Sequence, residues 1–248
     1  MKKLLDIQNL KKIYHTKQGE ILAVDNFSFS LNDGEFVSIV GPSGCGKSTI
    51  LSILCGLEEK SDGKIKSASD IKIGYMLQQD CLFEWRTILE NCLLGLEINH
   101  CLNEENKEYV LKLLETYGLH DFINSYPSNL SGGMRQRVAL IRTLAIKPDI
   151  LLLDEPYSAL DYQTRLSVSD DVYRIIKNEA KSAIMVTHDL EEAISISDRV
   201  IVLSKRPAVI KNIHNIVFLD RSIPSENRKN VEFAKYYDLI WKEIDHDE

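Results

Sequence analysis

Phe36-Val37-Ser38-Ile39-Val40 runs straight into Gly41-Pro42-Ser43-Gly44-Cys45-Gly46-Lys47-Ser48-Thr49. The first segment reads as a buried strand, and the second fits the pattern G-x-x-x-x-G-K-[ST]. Its glycines leave room for backbone N–H groups to turn inward around an anionic oxygen cluster. Lys47 can reach the β- and γ-phosphates of a nucleotide, and the Ser48 hydroxyl can ligate Mg²⁺. A helix from Ser48 to Cys55, stopped at Gly56, aims the positive end of its dipole at the same phosphates. The competing reading is a glycine-rich turn with an accidental Gly-Lys-Ser. With strand before, helix after and every position filled, the stretch implies a nucleoside triphosphate site.

The chain has 248 residues, enough to bury about three quarters of its unfolded surface as one large domain carrying an inserted lobe. Its net charge of −7 argues against a nucleic-acid partner. Met1-Lys2-Lys3-Leu4-Leu5 starts like a secretion signal, but Asp6, Gln8 and Asn9 break the apolar run. No stretch approaches the roughly 20 apolar residues needed to cross a bilayer. The expected place is cytosolic unless a partner carries the chain to a membrane. The five cysteines (Cys45, Cys55, Cys81, Cys92, Cys101) show no C-x-x-C pairing, so reduced thiols are expected. Cys45, near a helix N-terminus, is expected to hold a stabilised thiolate whose oxidation would obstruct nucleotide.

From Leu4 to Leu31 the chain reads as short strands with partly alternating apolar positions, turned at Lys17-Gln18-Gly19 and Asn32-Asp33-Gly34. Asp62-Gly63 turns the chain toward a strand, Ile71 to Leu77, with Gln78 at its end. Thr87 and Glu90 form a capping box, Asn103 caps a second helix, and Ser131 caps a third. This all-helical insert reads as a lobe distinct from the sheet. Ile150 to Leu153 is an uninterrupted apolar run typical of a buried parallel strand. Helices and strands then alternate through Leu203, which indicates a doubly wound α/β core. A final helix carries Phe233, Tyr237, Ile240, Trp241 and Ile244 on one face, a stripe that reads first as packing.

Several further residues carry chemistry. Asp154 and Glu155 close the apolar strand, where α/β sheets place ligands; Asp154 can hold Mg²⁺ and Glu155 can take a proton from an attacking water. Leu130-Ser131-Gly132-Gly133 exposes N–H groups at a helix start, an anion site or simply a cap. Ser158-Ala159-Leu160-Asp161 follows the acid pair, and His188 ends the next strand. Taken singly, His188 reads as structural, Gln78 as a loop residue, and Tyr14 as a half-buried strand aromatic in a loop-like start.

The order of these motifs resembles that of the ATP-binding cassette ATPases, specifically the ATPase subunit of membrane transporters, over the whole chain. The resemblance implies an α/β fold: a P-loop NTPase (RecA-like) core at 35–81 and 148–207, an N-terminal antiparallel β subdomain at 1–34 and an inserted α-helical signature subdomain at 82–147. A C-terminal strand and helix extension at 208–248 completes the single domain. The resemblance implies a second copy packed head to tail, with two ATP sandwiched between one phosphate loop and the other copy's Ser131-Gly132-Gly133. It also implies roles. Tyr14 stacks on adenine, Gln78 contacts Mg²⁺ and the attacking water, Asp161 communicates across the dimer, and His188 steadies the γ-phosphate. Met134 replaces the glutamine common after that signature. Leu82 to Asn91, Gly133-Met134-Arg135-Gln136-Arg137 and Leu203 to Pro207 look like the nitrate, sulfonate and taurine importers, a group that includes thiamine-precursor uptake systems. Glu84 stands where that group usually has proline. Further implications are a transmembrane permease partner, a solute-binding protein acting indirectly, and a peripheral place on the cytoplasmic face of the membrane. Trp85 reads either as a grip on the permease or as core. The rivals are a soluble, non-transport cassette ATPase, a regulatory subunit that binds ATP without turnover, and a small-molecule kinase, which leaves the LSGG stretch unexplained.

Overall fold

The computed structural model describes residues 2–17 and 19–245. Gln18 of the expected turn, Met1 and 246–248 lie outside the described residues. The chain opens with β1 (Lys3–Thr16) and β2 (Gly19–Asn32), paired antiparallel. These are two 14-residue strands, not the run of short ones the sequence indicates. The reason is a set of register shifts, among them one between Ile7 and Leu10, with Asn9 and Asn26 at positive φ. Each bulge reverses the phase of the in–out alternation and breaks the pattern without ending the strand.

Next come β3 (Phe36–Val40), α1 (Lys47–Leu54) and β4 (Asp62–Ser67). β4 pairs with β1, Ile7 opposite Ile65, so it joins the antiparallel sheet and not the core to which 35–81 is assigned from sequence. With Ile65 its sole large apolar residue, β4 carries no alternation to read. β5 (Ile73–Met76) returns to the core.

The helices α2 (Ile88–Ile98), α3 (Glu104–Thr116) and α4 (Gly132–Ala145) follow. Their caps form as the sequence indicates: Thr87 with Glu90 in a full capping box, Asn103 on Asn106 N–H, Ser131 on Met134 N–H. Buried Asn91 of α2 accepts from Phe83 N–H at 2.7 Å and donates to the carbonyls of Phe83, Arg86 and Thr87. It thereby fixes the segment carrying Trp85. That indole is 74 % exposed and stacks on Phe83 at 4.8 Å, so it is not core. The Arg135 guanidinium bridges Asp80 at 2.7 Å and Glu84 at 2.9 Å on the same side of the lobe.

The remaining elements are β6 (Ile150–Asp154), α5 (Tyr162–Asn178), β7 (Ser182–Val186), α6 (Leu190–Ile196), β8 (Arg199–Leu203), β9 (Ile210–Asn215), α7 (Pro224–Asn227) and α8 (Val231–Asp245). Among the described residues the second sheet runs β5-β6-β7-β3-β8-β9, parallel except for β9. The three central strands β6, β7 and β3 are buried at every position, which explains their largely apolar runs. On one face the helical lobe and α5 pack Leu113, Val138, Leu144 and Val172 against Leu151 and Leu153. On the other, α1 and the antiparallel sheet pack Val24, Phe27, Ile50 and Leu51 against Ile39 and Val186. α8 buries Ile240 against α6 and β8 and leaves Trp241 half exposed.

Candidate active site

The site begins where β3 ends at the centre of the sheet. There the backbone turns through residues 41–46 into α1, whose first residue is Lys47. Gly46 caps that helix at φ +127°, where a Cβ would stand 2.9 Å from the Ala23 carbonyl; only glycine fits. Lys47 is buried and folds back onto its own loop, donating to Gly41 O at 2.7 Å and Pro42 O at 3.0 Å. Ser43, Gly44, Gly46, Lys47, Ser48, Thr49 and Glu155 line a cleft of about 220 Å³. Tyr14, which lies within β1 and not in a loop-like start, brings its hydroxyl 3.4 Å from Thr49 Oγ1, with the Lys12 ammonium 4.7 Å above its ring.

Two carboxylates meet this loop from β6. Asp154 accepts from Ser48 Oγ at 3.0 Å and from the Tyr75 hydroxyl at 2.9 Å. Burial pushes its carboxyl above the ordinary range, and the two hydrogen bonds oppose that rise. The Tyr75 phenol is raised by burial and then by the Asp154 charge, so it stays a donor. Sequence reading placed Tyr75 on a strand and missed this contact, because the strand's facing is set by its pairing with β6. Glu155 sits at φ +42°, uncommon for a residue with a side chain, and its N–H donates to Val186 O. Its Oε2 is 3.1 Å from His188 Nδ1 and accepts from Gln78 Nε2 at 3.3 Å. Gln78, Glu155 and His188, spread over 110 positions of sequence, thus converge on one carboxylate oxygen.

The other predicted groups lie apart from this cleft. Ser131 and Gly132 are exposed at the start of α4. A Cβ on Gly133 would meet Val168 at 2.9 Å and Thr164 at 3.0 Å, so α5 passes too close for any side chain. Met134 packs partly buried against the lobe. Asp161 is the N-cap of α5, and its hydrogen bond from Thr164 holds its carboxyl below the usual range. Cys45 departs from expectation. It is buried, and burial pushes its thiol up, outweighing the Lys47 charge that would favour a thiolate.

The donor chemistry suits the ligands the sequence implies. A glycine-lined cradle with a lysine and a helix start takes phosphate. Ser48 and Asp154 offer oxygen donors, and Mg²⁺ is commonly held by one or two protein oxygens together with phosphates. Among the described residues no helix is long and apolar enough to cross a membrane.

Comparison with known proteins agrees with this geometry. A family model described as "ABC transporter" matches residues 24–158. The ABC transporter ATP-binding protein YtlC of Bacillus subtilis is 45% identical, over 97% of this chain and 95% of its own. The nitrate import ATP-binding protein NrtD of Synechocystis is 36% identical, over 95% of this chain and 93% of its own. A solved dimer of an ATP-binding cassette in a post-hydrolysis state, bound to ADP and Pi, superposes with TM-score 0.73 at 32% identity, covering 86% of this chain and 99% of that one. The chain belongs to the ABC transporter family and is one of its ATP-binding, ATP-hydrolysing subunits.

Proposed function

We propose that this ATPase powers an importer, drawing a small solute of the nitrate, sulfonate, taurine or thiamine-precursor type through a separate membrane permease. The import-type relative supports the direction. One observation carries the catalytic half of the reading. Glu155, His188 and Gln78 converge beside the phosphate loop, yet the anion-binding start of α4 does not line that cleft. The missing donors then come from a second copy, head to tail, with ATP held between.

In this reading residues 41–49 wrap the phosphates, and Lys47 exchanges its loop carbonyls for phosphate oxygens. Tyr14 stacks on the adenine. Ser48, Asp154 and Gln78 hold Mg²⁺, which when bound offsets phosphate charge. Glu155 accepts a proton from the attacking water, which Gln78 orients. His188, already paired with Glu155, steadies the γ-phosphate. Ser131, Gly132 and Gly133 of the second copy close over it with a hydroxyl and backbone N–H groups, and Asp161 relays contact across the seam. Shared γ-phosphates favour the closed pair; hydrolysis removes the bridge and the copies part.

Exposed Trp85 and partly buried Phe83, beside the Asp80–Arg135–Glu84 bridge, offer the permease a landing place. A cleft of about 650 Å³ lined by residues 78–82, Arg135 and Ser158 adjoins it, and Gln78 in its wall donates to Glu155 of the nucleotide cleft. The chain then sits peripherally on the cytoplasmic face, a solute-binding protein reaching it only through the permease. The deciding experiment measures phosphate release from Mg-ATP together with mass in solution. Turnover at normal speed by a monomer that encloses its nucleotide alone would overturn the paired reading.

A further inference from the structure

His188 is more than half exposed, so little packing on the imidazole itself fixes where it points. Its two neighbours in sequence are held instead. Thr187 donates through Oγ1 to Glu192 Oε2 at 2.8 Å and accepts from Asp189 N–H at 3.0 Å. Asp189 spends one carboxylate oxygen on the N–H groups of Glu191 and Glu192, capping α6. Its other oxygen accepts from Arg165 Nη1 at 3.0 Å.

Arg165 comes from the first turns of α5, just past Asp161. Its Nη2 donates to the Leu160 carbonyl at 3.1 Å, and its Nε lies 3.6 Å from Glu192 Oε1 with no hydrogen-bond partner of its own. One planar guanidinium therefore joins the backbone beside Asp161 to both residues that anchor the His188 turn. The ion pair is only about a quarter exposed on either side, and the guanidinium plane is held by two acceptors on two segments, the Leu160 carbonyl and the Asp189 carboxylate. A solvated ion pair between two flexible side chains has neither property.

We propose that Arg165 is a positioning residue: it passes the placement of the Ser158–Asp161 segment to His188, and so sets the His188–Glu155 geometry when a second copy presses on that segment. The proposal rests on the paired ATPase reading for its purpose, though not for its geometry. A lysine keeps the charge but cannot reach Leu160 O and Asp189 along two directions at once.

The test uses the full chain, carbon-13-labelled at histidine Cε1, with the His188 resonance assigned by its loss in His188→Gln. In Arg165→Gln that resonance is expected to move, and in Arg165→Lys to move by a lesser amount in the same direction. Arg174→Gln, on the same helix but exposed and paired with Asp171, should leave it in place. In parallel, kcat for ATP is expected to fall about tenfold in Arg165→Gln while KM changes less than about threefold. Combining Arg165→Gln with Asp189→Asn, which keeps the α6 cap oxygen, should cost no more than the worse single variant. An unmoved His188 resonance in Arg165→Gln, or a double variant whose loss is the product of the two, overturns the proposal. If the resonance moves as expected but the wild-type chain shows no turnover, the positioning stands and the ATPase reading fails.

Discussion

Nδ1 of His188 lies 3.1 Å from Oε2 of Glu155, although 33 residues separate them. The contact is a product of register. β6 and β7 run parallel with Asp154 opposite Val186, and the Glu155 N–H closes the pair on the Val186 carbonyl. Each strand then releases its catalytic candidate just beyond its last paired residue, at the edge where parallel sheets place ligands.

Lys47→Ala is expected to weaken ATP binding by at least about a hundredfold, since a buried charge-assisted donor is lost and two loop carbonyls are left without it. Titration of a fluorescent nucleotide reads this directly. Unchanged affinity would show that the loop does not hold phosphate.

Glu155→Gln should keep nucleotide binding and lose turnover by about a hundredfold or more, as expected when a proton acceptor is removed. With ATP bound but not cleaved, the variant should accumulate as a dimer in light scattering. A monomer at saturating Mg-ATP would count against the sandwich.

Ser131→Arg should abolish hydrolysis while each chain still binds nucleotide, because Ser131 stands at an exposed helix start away from its own phosphate loop. The sharper form mixes this chain with Lys47→Ala. Each mixed pair then holds one intact composite site, so turnover should rise above that of either variant alone. No recovery on mixing would argue that each chain serves its own site.

Glu192 gives a signed pH prediction. Burial, then the charge of Asp189, pushes its carboxyl up to about 7, against Thr187, Arg165 and Arg228, which favour the ion. An unfolded chain releases that proton near 4.5, so the folded state binds more protons between the two values. This contribution to stability is complete below about 4.5 and is lost as pH rises through about 7. Glu192→Gln removes it. From about pH 5 to about pH 8 wild type should lose on the order of 2–3 kcal/mol relative to the variant in urea unfolding. Parallel profiles would exclude an unusual Glu192.

Cys45 should react with thiol reagents far more slowly than exposed Cys81 and Cys101 in the native chain, being buried and raised by burial. Mass mapping after brief alkylation checks the order. Labelling of Cys45 ahead of the other two would restore the expectation of a stabilised thiolate.

Local signals were legible where local chemistry decides. The phosphate loop follows from its glycines and Lys47, the helix starts from Thr87, Asn103 and Ser131, and the buried strands from runs such as Ile150 to Leu153. Signals that depend on what lies opposite were not. β4 has a single large apolar residue and exists because β1 offers it a ladder. The lengths of β1 and β2 were hidden by bulges at positions such as Asn9. A helix start near Cys45 suggested a reactive sulfur, whereas the walls around it decide its proton. Arg165 was silent for the same reason: its partners sit on other segments, and no spacing along the chain announces them.

The Phe83–Trp85 stack stands on a knot tied by the amide of Asn91. On the proposed permease reading, an arriving helix would meet rings whose pedestal is held by the Asn91 hydrogen bonds. Little wobble of that pedestal remains to be quenched on contact, so attachment can be tight over a small footprint. On that reading the handle would work in both directions: a push delivered to the rings would pass through Asn91 into α2.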